Sequence, residues 1–223
     1  MNNTRKILAF LILVFCTTVF IWAQSSNNSL ELKLINDYIK INNRESKAAA
    51  LKLICDVLEE GNTDKEIYTA LDYLALEGTQ YVTRERGRIS NDYPDIRREA
   101  VRCLGVLGTA QAKNTLVKVC QVEKELLILY EAVKSLGVIG NNDNNTAVNA
   151  IIMIDNKYQQ RPDNRLASVS IDALGKIAEK NNGIEDPGAI RLLLRIVEGP
   201  YNKDIKERAR QTSTDIRKYS LKD

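Results

Sequence analysis

Histidine is absent from all 223 residues of this chain. Without histidine the chain has neither the usual serine or cysteine hydrolase triad nor a histidine ligand for a metal, and it lacks the commonest general base of enzymes. It also has no glycine-rich phosphate loop and no paired-cysteine metal motif. We therefore interpret the protein as non-enzymatic, with no catalytic residue, no metal ligand and no cofactor.

Large aromatic residues are scarce, and their positions are uneven. The chain has one tryptophan and three phenylalanines, and all four lie within the first 23 residues, at Phe10, Phe15, Phe20 and Trp22. Tyrosine is the only aromatic residue in the remainder of the chain. The N-terminal segment therefore has a composition of its own and needs a separate interpretation.

The first 23 residues have the pattern of a secretory signal peptide. The cationic start MNNTRK precedes the apolar run ILAFLILVFCTTVFIWA, which ends in the small residue Ala23. We expect cleavage after Ala23, which makes Gln24 the mature N-terminus and places the protein outside the cytoplasm, as a periplasmic or secreted bacterial protein. Two alternatives remain open, an uncleaved membrane anchor and a lipoprotein modified at Cys16.

Strong net charge is also missing from the mature chain. The full sequence has a net charge of +3, and loss of Arg5 and Lys6 with the signal peptide lowers it to +1. A near-neutral protein is not a general electrostatic binder of nucleic acid. We expect a monomer without a membrane span after signal cleavage, and a protein partner of unknown identity.

Cysteine is rare, and the mature chain has an odd number of cysteines. Cys55, Cys103 and Cys120 all lie within apolar helical patterns, which favours an interpretation as small buried hydrophobic residues. A disulfide between Cys103 and Cys120, which flank a predicted helical hairpin turn, is the alternative.

Two near copies of one segment reveal an internal repeat. AVRCLGVLG at residues 100–108 returns as AVKSLGVIG at residues 132–140, and SIDALGKIA at residues 170–178 is a third version. Apolar residues lie eight positions before the repeated leucine in each unit, and the small residues Ala100, Ala132 and Ser170 lie four positions before it. In the first unit the series is Ile96, Ala100 and Leu104. This spacing predicts a helix that buries one stripe, which in the first unit also includes Leu107.

The glycines of the repeat fall into two groups. Gly105, Gly137 and Gly175 lie inside the predicted helices, where glycine costs about 1 kcal/mol relative to alanine. Their equivalent positions predict close approach of a neighbouring helix. Gly108 and Gly140 follow the last apolar residue and are predicted to be left-handed C-caps.

The complete pattern predicts a single all-α domain at residues 24–223. Weaker repeats occupy residues 29–78, a loop residues 79–93, clear repeats residues 94–199, and a polar capping helix residues 203–219. Helical units that recur every 30 to 40 residues predict a right-handed α-solenoid of stacked antiparallel helix pairs with about ten helices.

The predicted loop is longer than most connections between packed helices. It contains the only short strand candidate, TQYVT at residues 79–83, followed by Arg84, Arg86 and Arg88. A solvated surface loop and a binding loop are both compatible with this composition.

The stretch PDIRREAVRCLGVLG at residues 94–108 resembles the second-helix pattern of HEAT repeats, particularly the short variety found in phycobilin lyase proteins. The resemblance implies a right-handed solenoid whose second helices line a concave interaction surface. It also implies that Arg97, and approximately Lys206, tie repeats together through a neighbouring acid. Leu129 and Ala167 depart from this pattern at the equivalent positions.

The leading functional hypothesis is an exported scaffold for protein–protein interaction. The predicted binding residues are Arg98 and Arg102 with their counterparts Tyr130 and Lys134 in the next repeat, because stacked helices would align them as a basic patch with one exposed aromatic residue. The alternatives are a lyase-type or other enzyme accessory, and a binder of polyanions through the region Arg84 to Arg102.

Overall fold

A computed structural model describes residues 30–220 of the chain, with side chains to residue 217. This part contains ten α-helices: α1 (30–40), α2 (Arg44–Glu59), α3 (Lys65–Leu76), α4 (Pro94–Leu107), α5 (Ala110–Val122), α6 (Leu126–Ile139), α7 (Thr146–Tyr158), α8 (Asn164–Lys180), α9 (Pro187–Glu198) and α10 (Lys203–Ser220). A 3₁₀ turn, Asp143–Asn145, precedes α7.

The helices form two layers. The even-numbered helices α2, α4, α6, α8 and α10 pack in sequence against one another, and α3, α5, α7 and α9 form a second row. Short links, residues 123–125 and 199–202, join the packed antiparallel pairs α5/α6 and α9/α10, whereas α3 and α4 pack together across the longer connection of residues 77–93. The predicted all-α solenoid of stacked helix pairs is confirmed.

The N-termini of several helices are marked by capping side chains or by a proline in the first turn. The side chains of Asn43, Thr109 and Asp163 accept the backbone N–H three residues ahead, at 2.7, 3.2 and 2.7 Å. Pro94 and Pro187 occupy first-turn positions, where the missing N–H costs no hydrogen bond. These caps set the register that decides which residues each helix buries.

The predicted buried stripe is confirmed. Ile96, Ala100, Leu104 and Leu107 are at most 6% exposed, and the equivalent residues of α6 and α8 are buried as well: Ile128, Ala132, Leu136, Leu166, Ser170 and Leu174. One continuous apolar core runs between the two layers, from Ile35 in α1 to Ile216 in α10.

The repeated glycines have the two predicted roles, with one exception. A methyl group at Gly105 would lie 2.8 Å from Ser135 Cβ, and one at Gly137 would lie 2.6 Å from Ala173 Cα. Gly175 has more room, because the corresponding distance to Thr212 Cγ2 is 3.7 Å. Gly108 and Gly140 end α4 and α6 with φ of 69° and 66°, so both predicted left-handed caps are confirmed.

The connection between α3 and α4 contains a small hairpin. Strands β1 (Arg84–Glu85) and β2 (Arg88–Ile89) pair antiparallel around Arg86 and Gly87, whose φ values are 49° and 80°. The strand candidate at residues 79–83 is wrong, because these two positive-φ residues make the turn and thereby place the strands after residue 83. Residues 81–89 are exposed.

None of the helices within residues 30–220 is long and apolar enough to cross a membrane. The predicted signal peptide, residues 1–23, lies outside the described residues.

Candidate functional site: a groove on the even-numbered helices

Two adjoining clefts lie on the surface of the even-numbered helices, and we call them together the even-helix groove. The first has a volume of about 420 Å³ and lies between α2 and α4. The second, of about 220 Å³, lies between α4, α6 and α8. Glu99 and Arg102 line both clefts and therefore stand at the centre of the groove.

Helix register places the groove residues beside the buried stripe. Asp95, Glu99 and Arg102 follow one another on α4 at spacings of four and three, which puts them on one helix face. Leu127 and Glu131 hold the equivalent positions on α6 and line the second cleft with Arg165 of α8. The same repeat that builds the core therefore aligns the groove residues of successive helices.

The structure brings three of the four predicted binding residues to the exposed side of the layer. Arg98 and Arg102 line the second cleft, and Lys134 is exposed one turn further along α6. Arg102 and Lys134 each form an ion pair with an acid three residues before them. Glu99 lies 2.6 Å from Arg102, and Glu131 lies 3.1 Å from Lys134. The face therefore carries mixed charge, and the binding role of these residues stays a prediction.

The expected exposure of Tyr130 is wrong. Only 7% of this residue is exposed, and the guanidinium of Arg165 covers its ring at 5.0 Å from the centroid. Burial, with a hydrogen bond to Asp163, raises the pKa of Tyr130 to about 12. The packing of α8 against α6 hides this side chain, a contact that the sequence of α6 alone does not contain.

The pair at the groove centre has the geometry of a strong charged contact. Arg102 donates through Nε and Nη2 to Glu99 Oε1 at 2.8 and 2.6 Å. This hydrogen bonding lowers the pKa of Glu99, so the carboxylate stays ionised at neutral pH. The two charges cancel locally, although both side chains remain about two fifths exposed.

Two cysteines lie beside this pair. Cys55 of α2 and Cys103 of α4 have their Sγ atoms 3.1 Å apart, and Arg102 Nη2 lies 3.4 Å from Cys55 Sγ. The two sulfur atoms and a carboxylate oxygen of Glu99 all lie within 4.8 Å of one another. Cysteine and glutamate are residue types that bind metal ions in proteins. The alternative disulfide between Cys103 and Cys120 is not formed, because all three described cysteines are free and the sulfur in contact with Cys103 is that of Cys55. Sequence reasoning missed this cluster because the two cysteines are 48 residues apart.

Buried ion pairs hold the N-terminal half of the groove in place. Lys47 of α2 binds Glu77 at 2.8 Å, and both side chains are at most 2% exposed. Arg97 of α4 donates through Nε to Glu123 Oε2 at 2.8 Å and through Nη1 to Asp92 Oδ1 at 2.6 Å. The expectation from the resemblance, that Arg97 ties repeats together through an acid, is thus confirmed.

A separate cleft of about 270 Å³ lies near the ends of α7 and α9. Arg195 crosses it to bind Asp155 and Asn156, and burial raises the pKa of Asp155. Because Arg195 links α9 to α7, we interpret this cleft as part of the packing between repeats.

Comparison with known proteins gives matches among solved structures only. No protein-family model and no curated protein sequence matches the chain. The complex of CpcE and CpcF of phycocyanin lyase from Nostoc sp. matches with a TM-score of 0.57 and 19% identity, over 85% of this chain and 66% of that chain. A de novo designed 16-helix transmembrane nanopore has a TM-score of 0.28 at 12% identity over 92% and 64% of the two chains, which is too low to carry an argument. This protein thus spans just under two thirds of the length of the lyase chain. The described part of the chain has a HEAT-like helical-repeat fold.

Proposed function

We propose that the protein is an exported, non-enzymatic scaffold that binds a protein partner in the even-helix groove. The observation that carries this proposal is the continuity of the groove over α2, α4, α6 and α8 around one shared pair, Glu99 and Arg102. A surface of this kind offers an extended partner a series of equivalent contacts.

The composition of the groove favours a protein over a polyanion. Leu127 is 49% exposed beside Arg98 and Arg165, and an exposed apolar side chain next to arginines is typical of protein interfaces. The acids Glu99 and Glu131 offset the neighbouring Arg102 and Lys134. These carboxylates would repel a polyanion and so weaken its attraction to the neighbouring cations.

Binding assays with charge-reversed variants test the proposal. The groove variant is Arg98→Glu with Arg165→Glu, and the matched control is Lys118→Glu with Arg191→Glu on the exposed side of α5 and α9. Both variants change the net charge equally. We expect a partner captured from envelope extract by the wild type and the control to be lost with the groove variant.

Equal capture of the same partner by both variants would place the binding surface elsewhere. Circular dichroism and thermal melting of the two variants establish that each is folded before the comparison is made.

A subunit role in a lyase-type enzyme is the second candidate. The solved structure that favours it is a complex of two subunits of phycocyanin lyase, whose fold the chain shares. Visible absorption spectra of the purified chain with and without a free bilin test this role. An unchanged bilin spectrum would argue against it and leave the scaffold proposal intact.

A further inference from the structure

Two thiols from different repeats meet in the wall of the even-helix groove. Cys55 on α2 is half-buried and lines the larger cleft, whereas Cys103 on α4 is 1% exposed behind it. Their Sγ atoms are in contact at 3.1 Å. A reagent in the cleft therefore reaches Cys55 first, because Cys103 does not line the cleft.

The polar neighbours of the thiols are suited to exchange chemistry. Arg102 Nη2 lies 3.4 Å from Cys55 Sγ and 3.7 Å from Cys103 Sγ, and Cys55 donates to Glu99 Oε1 at 3.8 Å. Reactive cysteines are found next to such a positive charge and partly open to solvent.

A metal ion fits this cluster less well than a dithiol. Two thiolates bound to one zinc ion at its usual bond length stand about 3.8 Å apart, further than these two sulfurs. The guanidinium of Arg102 lies against both sulfurs and against Glu99 Oε1. A cation placed among the three ligand atoms would face this positive charge at close range.

We propose that Cys55 and Cys103 form a thiol–disulfide exchange site whose substrates are small disulfides of the glutathione class. The Cys55 thiolate attacks one sulfur of the small disulfide, forms a mixed disulfide and releases the first thiolate. Cys103 Sγ then attacks Cys55 Sγ, and the Cys55–Cys103 bond forms as the second small thiolate leaves. The two protons lost by Cys55 and Cys103 are taken up by the two released thiolates. One small disulfide is reduced to two thiols, and the two cysteines are oxidised to one disulfide.

The product would link α2 covalently to α4 across the larger cleft of the groove. This inference is independent of the proposed partner binding, because it needs only the two cysteines, their neighbours and a small disulfide. Cys120 provides an internal control, since it lies buried on α5 and lines neither cleft of the groove.

Peptide mapping of the folded, intact chain tests the proposal directly. The protein is incubated with oxidised glutathione, its remaining thiols are alkylated under denaturing conditions, and it is digested with trypsin. Cys55, Cys103 and Cys120 then fall in separate peptides, LICDVLEEGNTDK, CLGVLGTAQAK and VCQVEK. We expect the first two to be joined with the loss of two hydrogen atoms, while the third is recovered alkylated.

Serine variants separate the two steps. In Cys103→Ser the second attack is impossible, so we expect Cys55 to accumulate as the mixed disulfide with glutathione. In Cys55→Ser we expect Cys103 to stay reduced, and Cys120→Ser should form the cross-link as the wild type does. Recovery of Cys55 and Cys103 in alkylated form from the oxidised wild type, or a link between Cys103 and Cys120, would overturn the proposal.

Discussion

Gly137 of α6 packs directly against the backbone of Ala173 in α8, where a methyl group on Gly137 would lie 2.6 Å from Ala173 Cα. Gly105 of α4 makes the same approach to Ser135 of α6, whose hydroxyl donates to Val101 O at 3.2 Å. In each case the small residue on the next helix lies at the equivalent position of its repeat. The distances between α4 and α6 and between α6 and α8 are therefore set by a glycine facing a small side chain.

Substitution of Gly137 tests this contact. We expect Gly137→Leu to lower the free energy of unfolding by roughly 1 to 3 kcal/mol, because the new side chain meets backbone atoms of Ala173 that cannot rotate away. Urea denaturation followed by circular dichroism measures the change. An unchanged unfolding midpoint would show that α8 does not approach α6 here.

Gly175 is the equivalent glycine of the next repeat and has more room. Here a methyl group would be in ordinary contact with Thr212 Cγ2, at 3.7 Å. We therefore expect Gly175→Ala to stabilise the protein by up to about 1 kcal/mol, since alanine is the better helix former. Loss of stability similar to that of Gly137→Leu would contradict the difference in packing.

The buried pair Lys47 and Glu77 predicts a strong coupling between two substitutions. Lys47→Met leaves the Glu77 carboxylate buried without its cation, at an expected cost of about 3 to 5 kcal/mol. Glu77→Gln in the same chain removes that charge but keeps an acceptor for Tyr73 Oη and Asn91 Nδ2. The double variant should therefore be more stable than Lys47→Met alone, and additive losses in a double-mutant cycle would argue against the pair.

Tyr73, which is half-buried, and the buried Tyr130 predict a loss of stability at alkaline pH. The folded protein raises the pKa of Tyr73 and Tyr130 from 10.0 to about 12, in both cases mainly through burial. Between pH 10 and 12 the folded state then binds more protons than the unfolded state, so the free energy of unfolding falls as the pH rises. Tyr130→Phe should reduce this loss in melting temperatures recorded from pH 9 to 12. The same slope for variant and wild type would contradict the contribution of Tyr130.

The predicted signal peptide can be tested on protein isolated from the native organism. We expect the mature chain to begin at Gln24, because a cationic start, an apolar run and a small residue at the cleavage position occur together. Mass spectrometry of protein from the native organism measures the N-terminus. Recovery of residues 1–23 on a protein from the cytoplasmic fraction would refute export.

Local pattern determined the repeat and the helices of this protein. Leucine, alanine and glycine recur at helical spacing, and such spacing can bury a stripe only if each helix finds neighbours on the same side. The left-handed caps at Gly108 and Gly140 follow from the same segments, because a glycine after the last apolar residue ends a helix without steric cost. These features depend on residues within one or two turns of one another.

Only the tertiary structure decided which side chains from different helices meet. Whether Tyr130 is exposed depends on Arg165 in the next repeat, and the cluster of Cys55, Glu99 and Cys103 depends on how α2 lies on α4. Lys47 and Glu77 are likewise joined across two helices. A single sequence fixes the face on which a residue stands, but the side chain that meets it there is selected by the packing of helices 30 to 50 residues apart, which periodicity does not encode.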